Sequence, residues 1–304
     1  MRLVFDNPFE AEGCWFKGNV HTHTTNSDGH MTPEQIVLRY REAGYDFLSI
    51  TDHGVLTDTR ELSRPDLLMI PGEEICAGSS ERGRFNHIVG LNIDGEIPVK
   101  DFQRWESPQR VIDLIGELGG FAILAHPYWS ELNINDMTKL RGYIGVEVYN
   151  ATCDLTIGRG HSNVHWDDLL AIGRRLLGFA VDDAHCLVKP LLPLDLCEAW
   201  ISVKARDLTA ESIMNGIRDG YFYSSNGPEI RGIDVSKREV RVSSSPVKSI
   251  AFVSNGGHGE NNTVEEGSLE EAVYAVTGSE AYVRIEITDR SGRKAWSNPV
   301  YVEP

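Results

Sequence analysis

Short apolar runs that each stop at a histidine, a carboxylate or an asparagine recur along the first two thirds of the chain. Trp15 to Val20 runs into His21-Thr22-His23, and Asp46 to Ile50 into Thr51-Asp52-His53-Gly54. Leu67 to Ile70 ends at Pro71-Gly72-Glu73-Glu74, and Phe121 to Leu124 at Ala125-His126-Pro127. Ile144 to Tyr149 ends at Asn150, and Leu177 to Val181 at Asp182-Asp183-Ala184-His185. Asn86 to Leu91 is a further run, with His87 at its start. Runs of this length, bounded by turn residues, read as buried strands. Helix signals lie between several of them. Thr32-Pro33-Glu34-Gln35 has an N-cap, a proline at the first helical position and a capping-box glutamine. Ser107-Pro108 repeats the cap and proline, a helix is expected over about 164–176, and Thr209 caps another from Ala210 to Arg218.

Strands alternating with helices imply an α/β fold with a parallel sheet, and about seven such units suit a distorted barrel better than an open sheet. From Tyr221 to Glu229 the texture changes, and Ser224-Ser225-Asn226-Gly227-Pro228 reads as a turn-rich break. Beyond it, Arg238 to Val242, Ser249 to Val253 and Ala281 to Thr288 alternate polar with apolar residues. Asp289-Arg290-Ser291-Gly292 then makes a hairpin turn into Lys294 to Val302. The expectation is a barrel over residues 1–229 and a small all-β sandwich over 230–304.

The polar ends of the strands carry the chemistry. Side chains two apart on a strand face the same way, so His21 and His23 converge, and Asp183 and His185 repeat the spacing. His21, His23, Asp28, His53, Glu74, His87, His126, Asp183 and His185 all fall at or beside strand ends. Taken singly, each is as well explained by a turn or a satisfied structural histidine. Taken together, nine such residues point to a divalent-metal site of nitrogen and oxygen ligands, suited to Zn, Mn or Fe. Glu73 should face away from Glu74. Asp52 and Asp182 read as supports or turn groups.

The net charge is −16, which argues against non-specific binding to nucleic acid or to an anionic membrane. An anionic substrate is still compatible, because bound cations reverse the local sign. The five cysteines contain no CxxC pair, so neither a disulfide framework nor a thiolate zinc site is expected. That usage suits a reduced cytoplasmic setting. No apolar stretch is long enough to span a membrane, and the first residues lack a signal-peptide core. Loop residues Tyr128, Trp129, Tyr149, Arg82, Arg84 and Lys189 border the site, and Asn150, Arg159 and His161 are the expected substrate contacts.

The motifs NVHTHTTNSDG, ITDHG, IPGEEI, NHIVGL, LAHP and DDAH, in this order, resemble those of the PHP (polymerase and histidinol phosphatase) superfamily of metallo-phosphoesterases. The resemblance spans residues 15 to 225. The β-rich tail, ending AWSNPVYV, is similar to the longer, carbaryl-hydrolase-like members. The resemblance implies up to three divalent ions. His21, His23, Glu74 and Asp183 would hold the first. Glu74 would bridge to a second held by His87 and His126, and Asp28, His53 and His185 would hold a third. It implies hydrolysis of a small phosphorylated metabolite or nucleotide by a metal-bridged hydroxide, with no protein nucleophile. Two other readings share the same residues. One is hydrolysis of a carboxylic or carbamic ester, and the other is a binding protein with a vestigial barrel.

Overall fold

The computed structural model describes residues 1–98, 107–186 and 195–304. The chain is mixed α/β, with one large sheet and few helices. In chain order, β1 (Arg2–Val4) and β2 (Cys14–Asn19) precede α1 (Pro33–Glu42), β3 (Phe47–Ile50), β4 (Leu68–Ala77) and β5 (Asn86–Leu91). Then come α2 (Pro108–Glu117), β6 (Phe121–Leu124), α3 (Ile134–Lys139), β7 (Tyr143–Asn150), α4 (Ala151–Ile157), α5 (Asn163–Ala171) and β8 (Leu177–Val181). These are followed by β9 (Trp200–Ala205), α6 (Ala210–Arg218), β10 (Phe222–Ser225), β11 (Ile230–Ser236), β12 (Glu239–Val247) and β13 (Ser249–Val253). The chain ends with β14 (Gly259–Thr263), β15 (Leu269–Ala275), β16 (Tyr282–Thr288), β17 (Lys294–Ser297) and β18 (Val300–Glu303).

The 15-stranded sheet runs β1-β18-β16-β17-β10-β9-β2-β3-β4-β5-β6-β7-β8, with β13 branching from β16 and β14 pairing with β13. Past β8 it turns back on itself. Ala184, just past β8, bridges in parallel to Thr22, just past β2. The His23 amide donates to the Ala184 carbonyl at 2.9 Å, and the Asp183 amide to the His21 carbonyl at 2.9 Å. β8, one end of the path, therefore meets β2, in its middle, at one rim.

The sheet is not parallel throughout. β2-β3-β4 and β6-β7-β8 pair in parallel, but β5 is antiparallel to both β4 and β6, and β9 is antiparallel to β2. The expected strand Leu67 to Ile70 also runs on to Ala77. At Pro71 its parallel pairing with β3 ends, and from Gly72 it pairs with β5 instead. Glu73 and Glu74 thus lie inside a strand, not at its end.

Local signals at the helices are met. The Thr32 side chain caps α1 and Gln35 reaches back to the Thr32 amide at 2.9 Å. Ile36, Val37 and Tyr40 bury its inner face, the apolar pair contributing about 2 kcal/mol each. The helix expected over 164–176 stops at Ala171, and Gly173 follows with φ +82. The segment after Asn150 begins as α4, because the Asn150 side chain caps it by accepting from the Cys153 amide at 2.9 Å.

Ser224 and Ser225 are strand residues. β10 pairs with β9 on one side and β17 on the other, so the large sheet runs through the expected break. A three-stranded sheet, β11-β12-β15, shares a buried cluster with β13 and β16. Arg284 of β16, buried, makes two 2.7 Å hydrogen bonds to Asp167 of α5 and one of 3.0 Å to Glu286. Trp296 of β17 stacks on Tyr149 of β7 with ring centroids 5.8 Å apart.

Buried Glu280 holds the turn between β15 and β16. It accepts from the Tyr274 hydroxyl (2.7 Å) and the Thr277 and Gly278 amides (3.0 and 2.8 Å). Burial pushes its carboxyl up, but these donors prevail and hold it down at about 2. Its folded pKa lies below its unfolded one, so its stabilisation is present above the ordinary glutamate range and is lost as pH falls through about 2. Glu280→Gln should cost about 2 kcal/mol near neutral pH. In urea unfolding the gap from the parent protein should narrow as the pH drops from the ordinary glutamate value. A gap independent of pH would show that the charge is not what holds the turn.

Candidate metal centre

All nine expected side chains gather at the rim where β8 meets β2. β2 delivers His21 and His23, and the turn after them delivers Asp28. That turn is tightly built. The Asp52 carboxylate accepts from the Thr24 amide, the Thr24 hydroxyl and the Ser27 hydroxyl, each at 2.7 Å. Gly29 passes so close to His23 that a Cβ would lie 2.7 Å from its carbonyl. His53 follows β3, Glu74 lies within β4, His126 follows β6, and Asp183 and His185 follow β8. His87 begins its strand, and the antiparallel course of β5 explains how it reaches the same rim. His87 lies opposite Cys76, and its carbonyl accepts from the Ala125 amide next to His126 at 3.0 Å.

The tightest group is His21, His23, Glu74 and Asp183, all buried. His21 Nδ1 lies 2.6 Å from Glu147 Oε1, which turns Nε2 inwards. His21 Nε2 then sits 3.1 Å from His23 Nε2 and 3.2 Å from both Glu74 Oε2 and Asp183 Oδ1. His23 Nε2 lies 3.2 Å from Glu74 Oε2 and 3.0 Å from Asp183 Oδ1. Glu74 Oε2 and Asp183 Oδ1 are buried without a hydrogen-bond partner. Four donor atoms spaced this way match the edges of a tetrahedron about a divalent ion, which are about 3.3 Å for bonds near 2.0 Å. The residues fit a metal.

Two further groups adjoin it. Glu74 Oε1 lies 2.9 Å from His87 Nδ1 and 3.3 Å from His126 Nε2. Asp28 stands nearly equidistant from three imidazoles, 3.7 Å from His23 Nδ1, 3.6 Å from His53 Nε2 and 3.5 Å from His185 Nε2. His23 therefore faces this last group as well as the first.

The charges of the cluster pull against one another. Burial would raise the Glu74 carboxyl, but His53, His21 and His87 hold it well below the carboxylate range. Burial would lower His23, but Asp183 and Glu74 lift it to about 9. Burial lowers His53 to about 4, with His23 and His87 adding to the effect against the pull of Glu74 and Asp28. The imidazoles cannot all carry protons at once in so small a volume. Two non-glycine residues here have left-handed backbone, His126 at φ 29 and Asp183 at φ 55. Each costs about 1 kcal/mol or more.

The cavity over the cluster is ≈ 300 Å³, lined by Asp28, His53, Glu74, His87, His126 and Asp183 with Trp129, Thr152, Cys153, Thr156 and His185. Trp129 stands edge-on to His126 (5.0 Å) and His87 (5.6 Å) and is partly exposed. Among the described residues that line it there is no lysine or arginine.

The expected substrate contacts lie elsewhere. Asn150 is fully buried, and its amide nitrogen is committed to Glu147 (2.9 Å) and Asp183 (3.1 Å). Arg159 pairs with Glu131 at 2.9 Å, and His161 packs against Tyr149 and Trp296. Neither is among the residues that line the cavity. Arg84 lies 3.9 Å from Glu131, and Lys189 falls outside the described residues. Glu73 faces the opposite side of β4, accepts from the Ile97 amide at 3.0 Å, and is pushed up to about 8 by burial.

Two supporting carboxylates escaped the sequence reading. Glu147 holds His21, accepts from the His126 amide at 2.8 Å and takes Asn150. Its signal was a lone charge inside the apolar run Ile144 to Tyr149, which must find a partner when buried. Asp195 accepts from the Thr152 hydroxyl and from the His185 and Cys186 amides at 2.8–3.0 Å. Nothing in its spacing marks it.

No family model matches the chain. A 5'-3' exoribonuclease from Salmonella typhimurium is 39% identical over 99 residues, 30% of this chain and 33% of that protein. A phosphoribosyl 1,2-cyclic phosphate 1,2-diphosphodiesterase from Eggerthella lenta is 37% identical over 84 residues, 26% of this chain and 32% of that one. The chain thus spans about a third of the length of these relatives. A crystal structure of a two-domain Bacteroides vulgatus protein containing a predicted PHP-like metal-dependent phosphoesterase aligns over 91% of both chains. Its TM-score is 0.52 at 15% identity, a likeness of fold.

Because Glu147 orients His21 and anchors His126, Glu147→Gln should weaken divalent-metal affinity by about 10–100-fold. Competition with a chromophoric chelator measures this directly. An unchanged affinity in a folded variant would remove Glu147 from the metal centre.

Proposed function

We propose that this chain, a member by fold of the PHP-like metal-dependent phosphoesterases, hydrolyses a phosphoester at the rim of its sheet. The observation that carries this reading is the set of four facing donor atoms on His21, His23, Glu74 and Asp183, two of them buried carboxylate oxygens without a partner. In the proposed assignment these four hold one divalent ion. Glu74, His87 and His126 hold a second, and Asp28, His53 and His185 a third, with Zn, Mn or Fe all compatible with the donors. Bound divalent ions supply a nucleophile from water at neutral pH and stabilise charge on the reacting phosphate.

The chain's own residues then do three things. Glu147 and Asn150 orient His21 and Asp183. Trp129 walls one side of the cavity. The carboxylates Glu74, Asp183 and Asp28 set a negative frame that only cations can reverse, and among the described residues no lysine or arginine lines the cavity. An anionic substrate therefore depends on the metals. Among the described residues, Ser27, Thr152 and Cys153 offer no nucleophile. Ser27 donates to Asp52, Thr152 is held between the Asp183 carbonyl and Asp195, and burial keeps the Cys153 thiol protonated.

The same reading takes the strands that meet at Thr22 and Ala184 as a distorted closed barrel, residues 1–229, with 230–304 as a β-sandwich fused through β10 and β17. The substrate is a small phosphate ester, in keeping with a cavity of ≈ 300 Å³. The relative named as an exoribonuclease makes a 5'-phosphorylated oligonucleotide a necessary arm of the test. No described helix is long and apolar enough to cross a membrane.

The test is phosphate or alcohol release from phosphomonoesters, a cyclic phosphodiester, a 5'-phosphorylated RNA oligonucleotide and a carboxylic ester, with and without added metal. Asp183→Asn is the matched variant, because asparagine tolerates the left-handed backbone that alanine would strain. It should bind less metal and lose more than about 100-fold in turnover while keeping its circular dichroism. Turnover of the carboxylic ester alone would overturn the phosphoesterase reading.

A further inference from the structure

A sulfur atom stands among the nitrogen and oxygen donors. Cys76 lies two residues beyond Glu74 on β4, so its side chain faces the same side of the sheet. The register of β4 and β5 sets it directly opposite His87. Cys76 Sγ is 3.5 Å from His87 Nε2 and 3.8 Å from His87 Nδ1. His53, Cys76 and His87 together present donor atoms within 4.8 Å of one another. A nitrogen and a sulfur on one tetrahedral zinc stand about 3.5 Å apart, given bonds of about 2.0 and 2.3 Å.

A second observation points to a cation on this side of the cluster. His53 Nδ1 and Glu74 Oε2 lie 3.0 Å apart, yet both are buried without a hydrogen-bond partner. Two such atoms so close, with no hydrogen bond between them, match two ligands facing a shared ion. Glu74 is 1% exposed, and among the described residues only imidazoles reach it, His21 and His23 on the same oxygen as His53.

We propose that Cys76 is a further metal ligand, giving the centre one thiolate on its His53–His87 side. This inference rests on the metal-centre reading above and adds a soft donor to it. Metal binding there releases the thiol proton, and the sulfur biases the position towards Zn or another thiophilic ion over Mn.

The experiment loads the protein with cobalt(II) and records its near-ultraviolet spectrum beside Cys76→Ser and Cys153→Ser. The parent and Cys153→Ser should display a thiolate-to-cobalt charge-transfer band that Cys76→Ser lacks. In parallel, alkylation of Cys76 by iodoacetamide, followed by peptide mapping, should slow at least about tenfold on metal loading. Cobalt uptake without the band, or a band that persists in Cys76→Ser, would overturn the role of Cys76 and leave the metal centre standing. No cobalt uptake by the parent protein would sink the metal centre itself.

Discussion

Two buried carboxylates with nothing to neutralise them but imidazoles are the constraint around which this molecule is built. Glu74 and Asp183 each leave one oxygen unpartnered, and those oxygens face His21 and His23 at 3.0–3.2 Å. Left alone, such a cluster is costly, because buried charge without a partner is among the most expensive things a fold can contain. Much of the surrounding polar structure serves to hold it in place. Glu147 fixes His21, Asn150 fixes Asp183, Asp52 fixes the His23–Asp28 turn, and Asp195 fixes the His185 turn.

The sheet is arranged to the same end. Donors on or just after six strands can meet only if those strands present one rim. A wholly parallel sheet would place the start of β5 on the far side. Reversing β5 between β4 and β6 brings His87 beside Glu74 and Cys76 at no cost in pairing. The price appears instead in the backbone, where His126 and Asp183 adopt left-handed conformations that re-aim their side chains. Strain concentrated at converging polar groups is what a prearranged site looks like.

The C-terminal strands take part in that rigidity. β17 continues the large sheet through β10, Trp296 supports Tyr149, and Tyr149 precedes Asn150, which holds Asp183. Arg284 clamps α5 through Asp167. The last residues of the chain are thus linked by short contacts to the corner that positions a site carboxylate.

Much of this was legible in the residues themselves. Strand ends marked by His, Asp and Glu follow from local periodicity, and capping residues such as Thr32 and Ser107 act over a single turn, so both can be read without a fold. The i, i+2 spacing of His21 and His23 likewise dictates a shared face. What the sequence could not dictate depends on pairing between distant strands. The reversal of β5, the extension of β4 through Pro71, and the neighbours of Cys76 and Glu147 were decided by which strand lies alongside. Asn150 shows the difference most clearly. Its place at a strand end suggested a substrate contact, but only the packing of β7 against β8 turned its amide towards Asp183, while its side-chain carbonyl started a helix.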